Sequence, residues 1–232
     1  MIAANVDVAL VVQACQFDFN VRRLERYLVI VREGHIEPVL LLTKTDLVSP
    51  EELEHLVGRI RLAGIGTRIV TLSNVTGAGI DQVRELLHPG KTYCLLGSSG
   101  VGKTTLINRL AAGPALETRE VSHTGEGRHT TTRRQLIRLE QGALLIDMPG
   151  MRELGMLGVS EGMDEAFADI SELARTCRFA DCRHAGEPGC AVQAAIARHE
   201  LSEEHLQNYL KLAKESQFND LSYVERRRKD KA

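Results

Sequence analysis

A three-layer α/β domain on a mostly parallel sheet, followed by a small helical appendage, is the fold this sequence predicts. Three observations carry the prediction. Short apolar runs of strand length alternate with segments of helical periodicity as far as residue 146. One strand–helix junction holds the glycine-rich stretch Gly97-Ser98-Ser99-Gly100-Val101-Gly102-Lys103-Thr104. Beyond residue 160, three cysteines and a histidine gather between positions 177 and 190. The division expected is therefore residues 1–160 for the α/β part and 161–232 for the appendage.

The elements follow in order. Val6 to Val12 is an apolar run of strand length. Val21 to Arg32 places Val21, Leu24, Tyr27, Leu28 and Val31 at helical spacing. Val39 to Leu42 is a second buried strand. Pro50 opens a helix after Ser49, a natural N-cap, and Glu51 and Glu52 favour the positive end of its dipole. Arg68 to Leu72 is a third strand, Gly79 to Leu87 a helix and Thr92 to Leu96 a fourth strand. A helix from Gly102 to Ala112 comes next. The segment Glu117 to Thr132 is polar and aperiodic, and is expected to be mobile without ligand. Gln135 to Leu139 and Ala143 to Ile146 read as a hairpin across Glu140-Gln141-Gly142. Helices are expected at Ala191–His199 and Glu203–Lys214.

Composition narrows the class. The chain has 232 residues, 43% hydrophobic and 26% charged, which is ordinary for a soluble globular protein. A net charge of −2 argues neither for nor against nucleic acid, because local patches can hide in a balanced total. No apolar run approaches the roughly 20 residues of a membrane span, and Met1 to Asp7 lacks the pattern of a signal peptide. A cytoplasmic monomer with no membrane partner is expected, with Cys15 and Cys94 as inert core thiols.

The glycine-rich stretch lies between a buried strand and a helix, the context a phosphate-binding loop needs. Its glycines let backbone N–H groups curl round phosphate oxygens. Lys103 supplies charge, the Thr104 hydroxyl can ligate Mg²⁺, and Thr105 opens the helix beside it. Asp147-Met148-Pro149-Gly150 follows the apolar run Leu144-Leu145-Ile146. Asp147 can hold Mg²⁺ through water and the Gly150 N–H can meet a γ-phosphate. Asp46, in Thr43-Lys44-Thr45-Asp46, names the base. A carboxylate offers two acceptors, and guanine N1–H and N2–H₂ are two parallel donors, whereas adenine presents an acceptor at N1. A helix N-cap is the plainer role for Asp46. Lys44 can lay its stem along the base. Thr43 stands where the usual pattern has Asn, and a hydroxyl replaces only part of an amide's bonding. Ser73-Asn74 follows the third strand, where a loop N–H can contact guanine O6.

Switch residues belong in 117–132, with Thr130, Thr131 or Thr132 offering a hydroxyl to Mg²⁺ and an N–H to the γ-phosphate. Ras-like enzymes carry a water-orienting Gln at the place of Met151, which cannot polarise water. His129 is therefore the candidate catalytic group, with a solvated loop histidine as its plainer role. The base-reading signature precedes the phosphate loop, whereas an ordinary GTPase has it after. The chain is thus expected to be a circularly permuted P-loop GTPase, with strands in the spatial order five-six-four-one-two-three. Gly79 to Gly90 would rejoin the old termini.

Cys177, Cys182, His184 and Cys190 supply three thiolates and one imidazole, the donor set of a closed structural zinc site. Such a site would fold a segment too short for its own core. The basic tail Arg226-Arg227-Arg228-Lys229 can touch RNA phosphates or fray in solvent.

These motifs together resemble the ribosome small subunit-dependent GTPase family, RsgA or YjeQ. The resemblance rests on the permuted order, Gly97 to Thr105, Gly127-Arg128-His129-Thr130-Thr131, Asp147-Met148-Pro149-Gly150, and Cys177…Cys182-Arg183-His184…Glu187-Pro188-Gly189-Cys190. It implies a GTPase acting late in assembly of the small ribosomal subunit and stimulated by it. It also implies zinc, rRNA contact, a hydrophobic residue at the place of Met151 and a catalytic switch histidine. Family members carry an N-terminal OB-fold barrel, and this sequence begins where that barrel ends. The rival reading is a GTP-gated RNA-binding module with only slow, incidental hydrolysis.

Overall fold

A computed structural model of the chain describes residues 5–111, 135–147, 156 and 158–221. Its strands and first four α-helices are, in chain order, β1 (Val8–Ala14), α1 (Val21–Glu33), β2 (Glu37–Thr43), α2 (Pro50–Leu62), β3 (Arg68–Thr71), α3 (Ile80–Leu86), β4 (Thr92–Leu96), α4 (Lys103–Leu110), β5 (Gln135–Arg138) and β6 (Leu144–Asp147). Helices α5 (Ser160–Ala166), α6 (Ala168–Ala174), α7 (Ala191–Ala197) and α8 (Glu203–Asp220) complete it. The first strand starts and ends two residues later than the apolar run suggested. Helices α5 and α6 have no counterpart in the sequence reading, although Met163, Phe167 and Ile170 are buried along them.

The contacts gather into two compact units. The first comprises Met1–Asn20, His35–Val57 and Thr67–Glu153. Its sheet runs β3-β2-β1-β4-β6-β5, the order expected of the permuted chain. All neighbours are parallel except β5 and β6, which pair antiparallel from Gln135↔Asp147 to Arg138↔Leu144. Leu10, Val12, Leu41, Val70, Leu95 and Leu145 turn to one face, where they pack with Ile80 and Val83 of α3 and Leu106 and Ile107 of α4. The alternate residues Ala9, Val11, Leu40, Leu42 and Cys94 are buried as well, which is why β1 and β2 read as unbroken apolar runs. The segment rejoining the old termini is tied to the sheet by Tyr93. Its hydroxyl donates to Leu86 O at 2.6 Å and accepts from His88 N at 2.9 Å.

The second unit comprises Val21–Gly34, Gly58–Gly66 and Leu154–Ala232. Helix α1 packs here with α5 and α8. Gly162 permits the close crossing: a Cβ there would meet Val29 O at 2.1 Å. The Gly162 N–H donates to Glu33 Oε2 at 2.8 Å. Val29, Phe167, Val192 and Leu206 are fully buried in this core. Beside it lies a polar cluster, in which His205 Nδ1 bonds Glu25 and His205 Nε2 meets Asp169 Oδ1 at 3.2 Å. Asn208 Nδ2 donates to the second Glu25 oxygen.

Candidate functional site

The parallel strands end together, and their loops emerge at one edge. Residue 97 continues β4 alongside Val12, and a Cβ there would meet Val12 O at 2.3 Å, so only glycine fits. Gly100 and Gly102 take φ of 79° and 97°, the left-handed region that favours glycine. The loop then runs straight into α4, whose first turn holds Lys103, Thr104 and Thr105. The Lys103 ammonium folds back over the loop and donates to Gly97 O and Ser98 O, each at 2.7 Å. Burial pushes its pKa down to about 8, against the attraction of Asp147.

Asp147 ends β6, paired with Leu95 in the register. It is 1% exposed, and burial raises its pKa, with Lys103 opposing. Its Oδ2 is buried without a hydrogen-bond partner among the described residues. A buried cation resting on carbonyls and a buried carboxylate oxygen lacking a donor both suit a phosphate and a hydrated divalent cation.

The second group of loops follows β2 and β3. Thr43 is fully buried, and its hydroxyl donates to Val101 O at 2.6 Å. Lys44 adopts φ 61°, a left-handed conformation that turns the chain into a 3₁₀ turn over Thr45–Leu47. The Thr45 N–H reaches Leu72 O at 3.4 Å. Asp46 is exposed, and its Oδ1 accepts from the Ser73 hydroxyl. That hydroxyl also accepts from the N–H groups of Val75 and Thr76, both at 3.1 Å. Asn74 Nδ2 donates to Gly102 O at 3.1 Å. Both side-chain links into the phosphate loop escaped the sequence reading, because each joins segments far apart in the chain. The structure thus gathers Thr43, Lys44, Thr45, Asp46, Ser73, Asn74, residues 97–105 and Asp147 within one unit. His129, Thr130, Thr131, Thr132, Gly150 and Met151 lie outside the described residues.

The Cys177, Cys182, His184 and Cys190 ligand atoms all lie within 4.8 Å of one another. A zinc–sulfur bond of about 2.3 Å implies a tetrahedral S···S edge of about 3.8 Å. Cys177 and Cys190 sulfurs are 3.9 Å apart, and His184 Nδ1 is 3.4 Å from Cys190 Sγ and 3.7 Å from Cys177 Sγ. Cys177, His184 and Cys190 are therefore spaced for a tetrahedral ion, with the Cys182 sulfur within 4.8 Å of each. Backbone N–H groups turn toward the sulfurs: Ala191 N to Cys177 Sγ and Gln193 N to Cys190 Sγ, both at 3.4 Å. Cys190 thereby caps α7. Glu187 closes the loop by accepting from Arg183 N at 2.9 Å and Ala185 N at 2.8 Å.

Comparison with known proteins fits this arrangement. The family model described as RsgA GTPase matches residues 1–157. The chain belongs to the RsgA GTPase family. Its RsgA relatives include the small ribosomal subunit biogenesis GTPase RsgA 2 of Vibrio vulnificus, 42% identical over 232 residues. That alignment covers 100% of this chain and 66% of the relative. The corresponding RsgA of Methanosarcina acetivorans is 43% identical over 219 residues, covering 94% of this chain and 59% of the relative. The chain thus spans about three fifths to two thirds of these relatives' length. Among solved structures, YjeQ from Thermotoga maritima superposes with a TM-score of 0.68 at 28% identity, over 90% of this chain and 70% of that one. YloQ, described as a circularly permuted GTPase, gives 0.64 at 26% identity, over 94% and 71%.

Proposed function

We propose that this chain binds GTP and GDP with Mg²⁺ and hydrolyses GTP as a step in maturation of the small ribosomal subunit, which stimulates it. The observation that carries the reading is the convergence of three loops and a buried carboxylate at the ends of β2, β3, β4 and β6. Residue types suited to reading a base and to binding phosphate lie on these neighbouring loops, in the permuted chain order, which supports the reading. Asp46 accepts from the two guanine donors, oriented by Ser73. Lys44 flanks the base, and the loop N–H groups with Lys103 receive the phosphates. Thr104 and Asp147 would hold Mg²⁺, which when bound neutralises phosphate charge. The names of the relatives support the ribosomal role and a cytoplasmic setting. In sequence terms the nucleotide module is residues 1–160 and the metal module 161–232, with the motifs on one side and the ligands on the other. The donor set and spacing at Cys177, Cys182, His184 and Cys190 suit one structural zinc. Contact with rRNA, a monomeric state, and Thr131 and Gly150 as γ-phosphate ligands complete the proposal, with His129 as the group acting on water.

The test is GTP turnover with and without purified small subunits. Strong stimulation by the subunits supports the reading. Tight GTP binding with turnover that the subunits leave unchanged refutes it in favour of a GTP-gated RNA-binding module.

A further inference from the structure

Thr43, at the end of β2, and Asn74, in the loop after β3, meet two consecutive carbonyls of the phosphate loop. The Thr43 hydroxyl has one hydrogen, which goes to Val101 O at 2.6 Å; the Gln13 carbonyl is farther, at 3.4 Å. It leaves nothing for the next carbonyl, Gly102 O. That oxygen takes the first helical bond of α4 from Leu106 N at 2.9 Å, and its second lone pair accepts from Asn74 Nδ2 at 3.1 Å. The amide orientation is set by this contact, since the opposite flip would press Oδ1 against a carbonyl oxygen. The side chain also packs on residue 102 itself, where a Cβ would lie 2.8 Å from Nδ2. Asn74 Oδ1 is buried without a hydrogen-bond partner among the described residues. The amide is thus held through its Nδ2, on Gly102 O.

The neighbours of Asn74 give the contact its meaning. Ser73 holds the Asp46 carboxylate, and Val75 O accepts from Arg109 Nη2 of α4 at 3.0 Å. One short loop thus binds the base-reading carboxylate at residue 73 and the phosphate loop at residue 74. We infer that Asn74 is a positioning residue: its amide braces the phosphate loop against the base-reading loop, supplying the second donor that Thr43 lacks. The inference rests on the guanine-nucleotide reading of the site. It makes nucleotide retention depend jointly on positions 43 and 74, because an amide at 43 would carry two N–H donors, one for each carbonyl.

The test is stopped-flow release of a fluorescent GDP analogue, with Mg²⁺, from the parent chain, Asn74→Ala, Thr43→Asn and the double variant, each checked by thermal melting. Asn74→Ala is expected to speed release about tenfold, the consequence of losing one buried hydrogen bond. The double variant is expected to return to within about threefold of the parent, a rescue that general loosening of the fold would not produce. Release from Asn74→Ala within twofold of the parent overturns the inference. So does acceleration that persists undiminished in the double variant. If Asn74→Ala does not fold, Asn74→Ser replaces it under the same criteria. A parent chain that retains no labelled GDP refutes the guanine reading itself, and the inference with it. Retention by the parent with an unchanged Asn74 variant refutes the inference alone.

Discussion

Replacing His205 by Gln removes the cation from a cluster where it faces two carboxylates. The His205 side chain is fully buried, and Glu25 beside it is almost so. Burial alone would lower the imidazole pKa, but hydrogen bonds and charge from Asp169 and Glu25 outweigh it and raise the value to about 9. A raised folded-state pKa means stability that is fully present below the ordinary value of about 6.5. That stability is lost as pH climbs through about 9. The span of roughly 2.5 pH units, at about 1.4 kcal/mol each, makes the proton-linked part about 3 kcal/mol. For a chain of this size that is roughly 6–12 °C in melting temperature. At pH 6.5 the variant, with Glu25 left uncompensated, is expected to melt lower by about that amount. By pH 10 the parent has lost its own imidazolium charge, and the gap is expected nearly to close. Near-UV circular dichroism of Tyr209 suits the assay, because its ring meets Phe167 edge-on at 5.3 Å in the same core. Burial, with Asp164 adding to it, raises the Tyr209 pKa and helps keep the reporter neutral. A gap of constant size from pH 6 to pH 10 would refute the imidazolium and the reasoning built on it.

Asp46→Asn is expected to invert one base pairing and shift preference from guanine toward xanthine nucleotides; competition binding checks this, and equal ATP and GTP affinity in the parent sinks the guanine assignment. Chelating the metal is expected to unfold the region around 177–190 while leaving the nucleotide loops folded. Metal analysis is expected to find about one zinc per chain, and hydrogen exchange that leaves α7 protected after chelation would count against a structural role. His129→Ala is expected to keep GTP affinity within a few-fold and cut subunit-stimulated turnover by roughly 10²-fold, whereas Lys103→Ala weakens binding itself. Normal stimulated turnover in His129→Ala places the catalytic group elsewhere.

The order of the sheet and the location of the nucleotide loops were legible in the chain because their causes are local. Glycines at 100 and 102 answer to their own positive φ angles, and β1 and β2 declare their double burial by unbroken apolar runs. The gathering of Cys177, Cys182, His184 and Cys190 was equally plain, because they are close in sequence. Tertiary structure decided what depends on distant partners. Periodicity marks the buried face of α1 but not its neighbours, and the structure groups that helix with α5 and α8. Glu25 stands among apolar residues of α1, yet its partner His205 is 180 positions away. Thr43 reads in the sequence as a partial replacement for Asn, and the partner of its hydroxyl, Val101 O, lies 58 positions on. Asn74 is marked in the sequence as part of a loop whose N–H can contact guanine O6, but its side-chain bond to Gly102 O is not. A side-chain hydrogen bond is specified by two positions and the backbone between them, so its meaning exists only once the strands have set their ends side by side.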